Sequence, residues 1–163
     1  MDIDSLFVAG DVRRCHALRA LTESTVASHS WGVTALVVAL FPDDVSVNLL
    51  KAALFHDIGE HVTGDIPTTM KWRLPPTAND AIDRLEREAR VAIIGADPMI
   101  HLSYRDKLIL KLCDMVEFGK FVEKEIKMGN SELIKVQKRV EAVVRRRWRD
   151  IEDYAELCAK QED

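Results

Sequence analysis

Apolar residues recur every three to four positions along almost the whole chain, and this periodicity constrains the fold more than any other feature of the sequence. Strand-like alternation of apolar and polar residues is scarce. Segments that contain proline or glycine, near residues 42, 64–67, 95 and 129, interrupt the periodic pattern. The sequence therefore predicts an all-α chain folded as a compact, irregular helical bundle.

The interruptions divide the chain into five predicted helices. They cover about residues 25–41, 46–57, 78–95, 102–129 and 131–159. The second contains VNLLKAALFHDIG, which is apolar on nearly every side and predicts a central, buried helix. Ser103-Tyr104-Arg105-Asp106 resembles a capping box at the start of the fourth, Gly129-Asn130 would close that helix, and Ser131 would cap the last one. Residues 64–76, GDIPTTMKWRLPP, are predicted to form a loop.

Composition narrows the class of protein. The 163 residues, of which 47% are hydrophobic, fit one domain over residues 1–163. A formal charge of -4 gives no general attraction to polymeric nucleic acid or to an anionic membrane. The three cysteines form no CxxC pair, and the first residues, MDIDSLF, are acidic where a signal peptide is basic. We therefore expect a cytoplasmic protein with neither a membrane nor polymeric nucleic acid as partner.

Four ionisable residues lie inside otherwise apolar helical segments. They are His29, His56, Asp57 and Asp114, and they come from three predicted helices. An unpaired buried carboxylate costs several kcal/mol, so a counter-charge or a cation is expected nearby. Two imidazoles and two carboxylates make a mixed nitrogen and oxygen shell suited to a divalent metal, and in an octahedral ion they leave two positions for water and substrate.

Each of these residues also has a simpler explanation. A single buried histidine is commonly a hydrogen-bonded core residue, and Asp114 could pair with Lys111 or Arg105. The adjacent His56-Asp57 pair makes a metal site as plausible as a structural cluster. Spacing alone leaves both interpretations open.

The order of these residues resembles a known signature. A first histidine (His29), an adjacent His-Asp pair (His56-Asp57) and a distant Asp114 match the HD-domain metal-dependent phosphohydrolases. ALFHDIGEHVTGDIPTTMK (53–71) is similar to the HD segment of YfbR-type 5'-deoxynucleotidases, and equally to that of the small phage dATP triphosphohydrolases. VASHS (26–30) and LCDMVEFGKFVEKEIKMGN (112–130) resemble the first-histidine and last-aspartate motifs. The resemblance covers roughly residues 12–135.

The resemblance implies roles around the metal. The metal ligands would be His29, His56, Asp57 and Asp114, and the cation would be Mn, Co, Zn or Mg. Glu60, four residues after His56 and so expected on the same helical face, would be the general acid/base that positions the attacking water. Asp65 would position Glu60 or the attacking water without contacting the substrate. Alternatively, Asp65 is an ordinary residue that caps the loop.

The resemblance also implies residues that bind the substrate. Arg14, fifteen residues before His29, would reach the phosphate or the sugar, and Lys71 would bind phosphate as a point charge. Cys15 stands where these families commonly carry an aromatic residue that lines the nucleoside pocket. Trp72 or His16 is an alternative stacking surface.

The expected activity is metal-dependent hydrolysis of a small-molecule 2'-deoxynucleotide, with water attacking phosphorus. A triphosphohydrolase would release a deoxynucleoside and triphosphate from a dNTP, whereas a 5'-nucleotidase would release phosphate from a dNMP. The short chain slightly favours the first, of the phage dATP type, because it leaves the site open to a longer phosphate tail. A non-catalytic HD module that binds metal and nucleotide is the third alternative. The family resemblance also implies a homo-oligomer.

Overall fold

The computed structural model describes residues 2–160, apart from the side chain of Thr68, and confirms the all-α prediction. The helices are α1 (Ile3–Gly10), α2 (Val26–Leu40), α3 (Val47–Phe55), α4 (Glu60–Thr63), α5 (Thr68–Lys71), α6 (Pro76–Ile94), α7 (Tyr104–Lys127) and α8 (Ile134–Ala159). Single 3-10 turns cover Pro42–Asp44 and Ser131–Leu133. Two short antiparallel strands, β1 (Arg13–Arg14) and β2 (Ser24–Thr25), pair Arg13 with Thr25 and Arg14 with Ser24.

The two helices that carry the outer candidate ligands begin as their sequences predict. Thr25 caps α2: its hydroxyl accepts a hydrogen bond from the Ser28 amide, and the Ser28 hydroxyl accepts one from the Thr25 amide. Ser103 and Asp106 form the same reciprocal box at the start of α7. These caps fix where each helix begins, and so which residues face the other helix.

The predicted central helix is shorter and more exposed than its composition indicates. α3 ends at Phe55 rather than at Asp57, and its side chains at Val47 and Leu54 are 68% and 41% exposed. Only one face, with Leu49, Ala52 and Ala53, is buried. A continuous apolar run does not distinguish a fully buried helix from one that leaves some apolar side chains at the surface.

Other boundaries also differ from the prediction. Residues 131–133 form a 3-10 turn, so α8 begins at Ile134 without the predicted Ser131 side-chain cap. The predicted loop 64–76 contains the short helix α5. α1 and the β1–β2 hairpin were not predicted, because elements of eight and two residues carry too little periodicity to be recognised.

The main core lies where α2, α3, α7 and α8 meet. Its fully buried members are Val33, Val37, Leu49, Ala52, Ala53, Ile109, Leu112 and Cys113. α2 packs against both α3 and α7. This packing brings the three segments that carry the candidate ligands to one place. Within the described part of the chain, no helix combines the length and apolar character needed to cross a membrane.

Candidate metal centre and substrate site

The HDIGE stretch forms a turn between two helices rather than one continuous helix. The His56 amide donates to the Ala52 carbonyl at 2.8 Å and ends α3, and Glu60 begins α4 with its amide bonded to the Asp57 carbonyl at 2.9 Å. The expectation that Glu60 shares a helical face with His56 is therefore wrong, because the helix is interrupted between them. Asp57 and Arg14 still link the two side chains: Asp57 Oδ2 lies 3.3 Å from His56 Nε2, and Arg14, which bonds to Asp57, lies 3.8 Å from Glu60 Oε2.

Helix α6 braces this turn. A Cβ atom at Gly59 would lie 2.4 Å from the Glu86 carbonyl oxygen, so only glycine lets the two backbones approach this closely. Arg90 donates from Nη1 to the His56 carbonyl at 3.2 Å and from Nε to Asp97 Oδ1 at 3.2 Å. The buried Arg90–Asp97 pair thus holds the end of α3 where His56 and Asp57 begin the turn.

Three candidate ligands converge. One donor atom each from His29, His56 and Asp57 lies within 4.8 Å of the other two. The two Nε2 atoms are 3.3 Å apart, and Asp57 Oδ2 is 3.5 Å from His29 Nε2 and 3.3 Å from His56 Nε2. α2 supplies the first residue, and the turn after α3 supplies the other two.

Hydrogen bonds on the far side of each ring orient both histidines. His56 Nδ1 donates to the Ala53 carbonyl at 3.0 Å, and His29 Nδ1 donates to the Glu117 carboxylate. Because a carbonyl and a carboxylate only accept, each ring carries a proton on Nδ1 and turns Nε2 toward the other ring. Nitrogen atoms arranged this way, beside a carboxylate, fit a divalent first-row metal.

The carboxylates around His29 favour positive charge at this residue, either as a proton on the ring or as a bound metal ion. Burial disfavours a charged imidazole, but hydrogen bonds to Asp114 and Glu117 outweigh it and raise the pKa of His29 to about 9. A metal and a proton would compete for the same Nε2 atom. The chemistry of this donor set therefore fits a metal whose affinity depends on pH.

Asp114 lies beside these three residues. Its Oδ1 is 3.2 Å from His29 Nε2, but among the described residues it is not part of the group whose donor atoms all lie within 4.8 Å. Arg105, one of its possible salt-bridge partners by sequence, pairs instead with Asp44 through contacts of 2.5 and 2.9 Å. α7 therefore places Asp114 against His29, beside the three converging residues.

Glu60 and Arg14 lie next to the cluster. Glu60 is only 6% exposed, and its Oε2 has no hydrogen-bond partner among the described residues. Arg14, from β1, bonds to Asp57 and places Nη1 3.8 Å from Glu60 Oε2. Burial and the neighbouring Asp57 carboxylate raise the pKa of Glu60 to about 9, although Arg14 acts in the opposite direction.

Asp57 differs from Glu60 in its charge state. Burial opposes its ionisation, but the nearby His56 imidazole, the Arg14 guanidinium and the His29 imidazole lower the pKa of Asp57 to about 2. One carboxyl is therefore held ionised while the other retains a proton at neutral pH. Two acids with such different pKa values suit a division between binding a cation and transferring a proton.

The remaining predicted residues lie around this centre. Asp65 Oδ2 accepts a hydrogen bond from the Cys15 amide at 2.7 Å, which is the loop-cap alternative rather than a contact with Glu60. Cys15 has φ +59°, in the left-handed region that non-glycine residues seldom occupy. Asp65 thus holds the sharp turn directly after Arg14. Lys71 Nζ lies 3.6 Å from Glu86 Oε1, at the side of α6.

Sequence reasoning missed two residues that complete the His29 environment. Glu117 follows Asp114 by one helical turn, and Gly32 follows His29 by one turn. A Cβ atom at Gly32 would lie 2.7 Å from Glu117 Cγ, so glycine makes room for the carboxylate to reach the ring. A glycine inside a helix, one turn after a candidate ligand, was the available signal.

Comparison with known proteins identifies a matching family and a relative. Residues 8–157 match the family model described as 5'-deoxynucleotidase YfbR-like. A relative, the 5'-deoxynucleotidase of Cronobacter sakazakii (strain ATCC BAA-894), is 24% identical over an alignment of 163 positions that covers 88% of this chain and 81% of the relative.

Two solved structures share the fold. The Cyanophage S-2L HD phosphohydrolase DatZ, bound to dA and one catalytic Zn²⁺ ion, has a TM-score of 0.71 at 20% identity, covering 92% of this chain and 86% of the other. A conserved hypothetical protein from Pyrococcus furiosus has a TM-score of 0.65 at 20% identity, covering 95% and 99%. At these identities the structural likeness establishes the fold.

Proposed function

The chain belongs to the YfbR-like 5'-deoxynucleotidase family, and from that membership we propose that its HD site hydrolyses the phosphate ester of a 2'-deoxynucleotide with a divalent cation. One arrangement carries the proposal. The donor atoms of His29, His56 and Asp57 converge within 4.8 Å. Buried Glu60, whose Oε2 has no hydrogen-bond partner in the described part of the chain, lies beside them next to Arg14.

The metal would be held by His29, His56, Asp57 and Asp114. When bound, a divalent cation supplies Lewis-acid polarisation of the phosphate and lowers the pKa of water. Zn²⁺ is the first candidate because the DatZ structure contains it; Mn, Co and Mg are the others. Glu117 and the Ala53 carbonyl hold the two imidazoles so that they offer Nε2.

Glu60 would handle the proton. Its raised pKa keeps a proton on the carboxyl at neutral pH, and that proton can pass to the leaving O5' oxygen. As water attacks in line, its oxygen forms a bond to phosphorus and the P–O5' bond breaks, with the Glu60 proton going to O5'. The attacking water gives up one proton to solvent, and Glu60 recovers a proton from solvent before the next turnover. Asp65 supports this reaction from the Cys15 turn rather than by touching Glu60.

The phosphate would be bound by cationic side chains. Arg14 already lies against Asp57 and Glu60 and can balance the charge of non-bridging phosphate oxygens. Lys71 is the second cation, though it would have to move from Glu86 to reach the phosphate.

Cys15 would line the nucleoside side of the site. Its side chain packs against the cluster of Phe121, Val122 and Leu133. Burial raises the pKa of its thiol to about 11, with Arg14 opposing the shift, so the group stays a neutral thiol. In that state Cys15 would serve as a wall contact and not as a nucleophile.

Two cleavage modes use the same residues. A dNTP hydrolysed at the α-phosphorus gives a deoxynucleoside and triphosphate, and the dA bound to DatZ supports an adenine deoxynucleoside as the product. Hydrolysis of a dNMP gives a deoxynucleoside and phosphate, and the family description supports that alternative. The presence of Glu60 argues against a non-catalytic module. A cytoplasmic homo-oligomer, built from one domain over residues 1–163, stays a prediction.

A substrate panel tests the proposal. Metal-loaded protein is incubated with dAMP, dADP, dATP and their ribo-counterparts, with Zn, Mn, Co or Mg in turn, and the released phosphate, diphosphate or triphosphate is separated by ion exchange. We expect deoxynucleoside release from dATP or dAMP, and none from a Glu60→Gln variant that still binds metal. Absence of hydrolysis of every substrate with every metal would contradict the proposal.

A further inference from the structure

Glu125 is a buried carboxylate that the proposed reaction does not use. It lies on α7 and is 0% exposed. It accepts hydrogen bonds from the Leu21 amide at 2.6 Å, from the Thr22 amide at 2.8 Å and from the Thr22 hydroxyl at 2.5 Å. Burial opposes its ionisation, but these bonds together with one from Asn130 lower the pKa of Glu125 to about 2. Glu125 is therefore a fixed negative charge.

Asn130 completes the same network. Its Nδ2 donates to Glu125 Oε2 at 3.0 Å and to the Arg19 carbonyl at 2.8 Å, while its amide donates to the Glu125 carbonyl at 3.0 Å. Gly129, with φ +102°, provides the backbone reversal that turns Asn130 back toward α7. We call Glu125 and Asn130 the α7 clamp.

The α7 clamp forms its hydrogen bonds with a single loop. Residues 15–23 connect β1 to β2, so Arg14 lies directly before the loop. The helix that carries His29 starts at Val26, after the two residues of β2. Asp65 holds the first residue of this loop through the Cys15 amide. The α7 clamp holds its far end, at Arg19, Leu21 and Thr22, mainly through backbone groups. The loop is thus fixed at both ends.

The hydrogen bonds of the α7 clamp indicate that it fixes the position of the loop backbone and does not only stabilise the fold. Leu18 and Ala20 already pack on the apolar cluster around Phe121, so the loop has hydrophobic contacts without a charge. A buried charged group is a weak stabilising device compared with apolar packing, whereas its bonds to specific amides fix one backbone position. The segment so fixed leads into Ser24, which pairs with Arg14 across the β1–β2 hairpin.

We propose that the α7 clamp positions loop 15–23, and through it the Arg14 guanidinium and Cys15, for binding the phosphate and nucleoside of the substrate. Glu125 and Asn130 are then positioning residues that touch neither substrate nor metal. This inference rests on the proposed function, since it assigns the loop to the substrate side of that site.

Steady-state kinetics of matched variants test the inference. Thr22→Val removes the hydroxyl donor at nearly constant volume, Thr22→Ser keeps it, and Glu125→Gln replaces the charge by an amide. We expect KM for the hydrolysed deoxynucleotide to rise about tenfold in Glu125→Gln and severalfold in Thr22→Val, with kcat within about twofold. Thr22→Ser should keep the wild-type KM, and metal affinity should be unchanged in all three.

Val140→Ala controls for a loss of stability. Val140 is buried on α8, outside the apolar cluster that holds the loop, and its truncation should lower the melting temperature without changing KM. If Glu125→Gln does not fold, the Thr22 pair carries the test. A wild-type KM in Thr22→Val, or an equal rise in Val140→Ala at the same melting temperature, would overturn the inference.

Hydrogen exchange separates a failure of this inference from a failure of the proposed function. If the wild-type protein hydrolyses no deoxynucleotide, the proposed function fails and substrate binding by the loop fails with it. Positioning of the loop is then judged from the amides of Arg14 and Cys15. Faster exchange of both in Thr22→Val, but not in Thr22→Ser or Val140→Ala, supports it, and unchanged exchange contradicts it.

Discussion

Glu117 on α7 accepts a hydrogen bond from Nδ1 of His29 on α2. The bond leaves Nε2 as the nitrogen that faces His56 and Asp57. A carboxylate behind a ligating imidazole fixes its tautomer and increases its basicity, and such partners are common around metal-bound histidines. Glu117, which the sequence analysis did not identify, therefore supports His29 as a ligand of the proposed metal site.

Removing this carboxylate should weaken metal binding. In Glu117→Ala the His29 ring loses the partner that fixes its orientation, so we expect affinity for Zn²⁺ to fall about 10- to 100-fold. Competition with a chromophoric chelator measures the affinity. Glu123→Ala is the matched control, because Glu123 lies on the same helix but pairs with Lys120 and Lys127. Equal affinities of the two variants would contradict the role of Glu117.

Gly32→Ala should have opposite effects on the helix and on the site. Alanine favours the helix by up to about 1 kcal/mol relative to glycine. Its Cβ would nevertheless lie 2.7 Å from Glu117 Cγ and push that carboxylate away from His29. We expect weaker metal binding without a corresponding loss of stability, measured by the same competition and by urea unfolding. Unchanged metal affinity would show that the Glu117 side chain can shift without losing its hydrogen bond to His29.

The Arg90–Asp97 pair gives a third prediction. Arg90→Met leaves the buried Asp97 carboxylate without its counter-charge and should cost about 3–5 kcal/mol in the free energy of unfolding. The double variant Arg90→Met, Asp97→Asn should recover most of this loss, because no unpaired charge remains. Urea unfolding at neutral pH measures both variants.

Arg105→Met is the control for that comparison. Its pair with Asp44 is more exposed, so its removal should cost about 1 kcal/mol or less. A similar cost for Arg90→Met would mean that the pair beside His56 contributes no more than a surface ion pair.

Glu125 should make stability depend on pH in the acid range. Its pKa is about 2 in the folded protein and about 4.3 in an unfolded chain. A depressed pKa contributes stability that is fully present above the unfolded value and is lost as the pH falls toward the folded value. The stability difference between wild type and Glu125→Gln should therefore be constant from about pH 7 to 5 and shrink between about pH 5 and 2. A difference that stays constant throughout would contradict the assignment.

Much of the helical framework was predictable because its signals are local. The Thr25 and Ser103 caps and the left-handed Gly95 that ends α6 each act within one turn of chain. Their residues identify the boundaries without knowledge of the tertiary fold. The predicted end of α3, at Asp57, was wrong. The turn that ends the helix is held by the α6 backbone at Glu86 and by the Arg90 side chain, and both are far from the turn in sequence.

The residues of the candidate site were predictable from the sequence, but most of their hydrogen-bond partners were not. The order of His29, His56, Asp57 and Asp114 indicated which residues could meet, and the structure brings them together. The partners of Asp65, Glu117 and Glu125 could not be predicted, because each bond joins segments far apart in the chain. Such contacts depend on how α2, α6 and α7 pack, which periodicity alone does not specify.

The most direct test of the central claim is deoxynucleoside release from dAMP and dATP before and after removal of divalent cations. We predict that chelation abolishes release and that one equivalent of Zn²⁺ or Mn²⁺ per chain restores it in the wild-type protein, but not in His56→Ala. Full activity in protein shown by elemental analysis to lack metal, or restored activity in His56→Ala at one equivalent, would contradict a metal-dependent site at these residues.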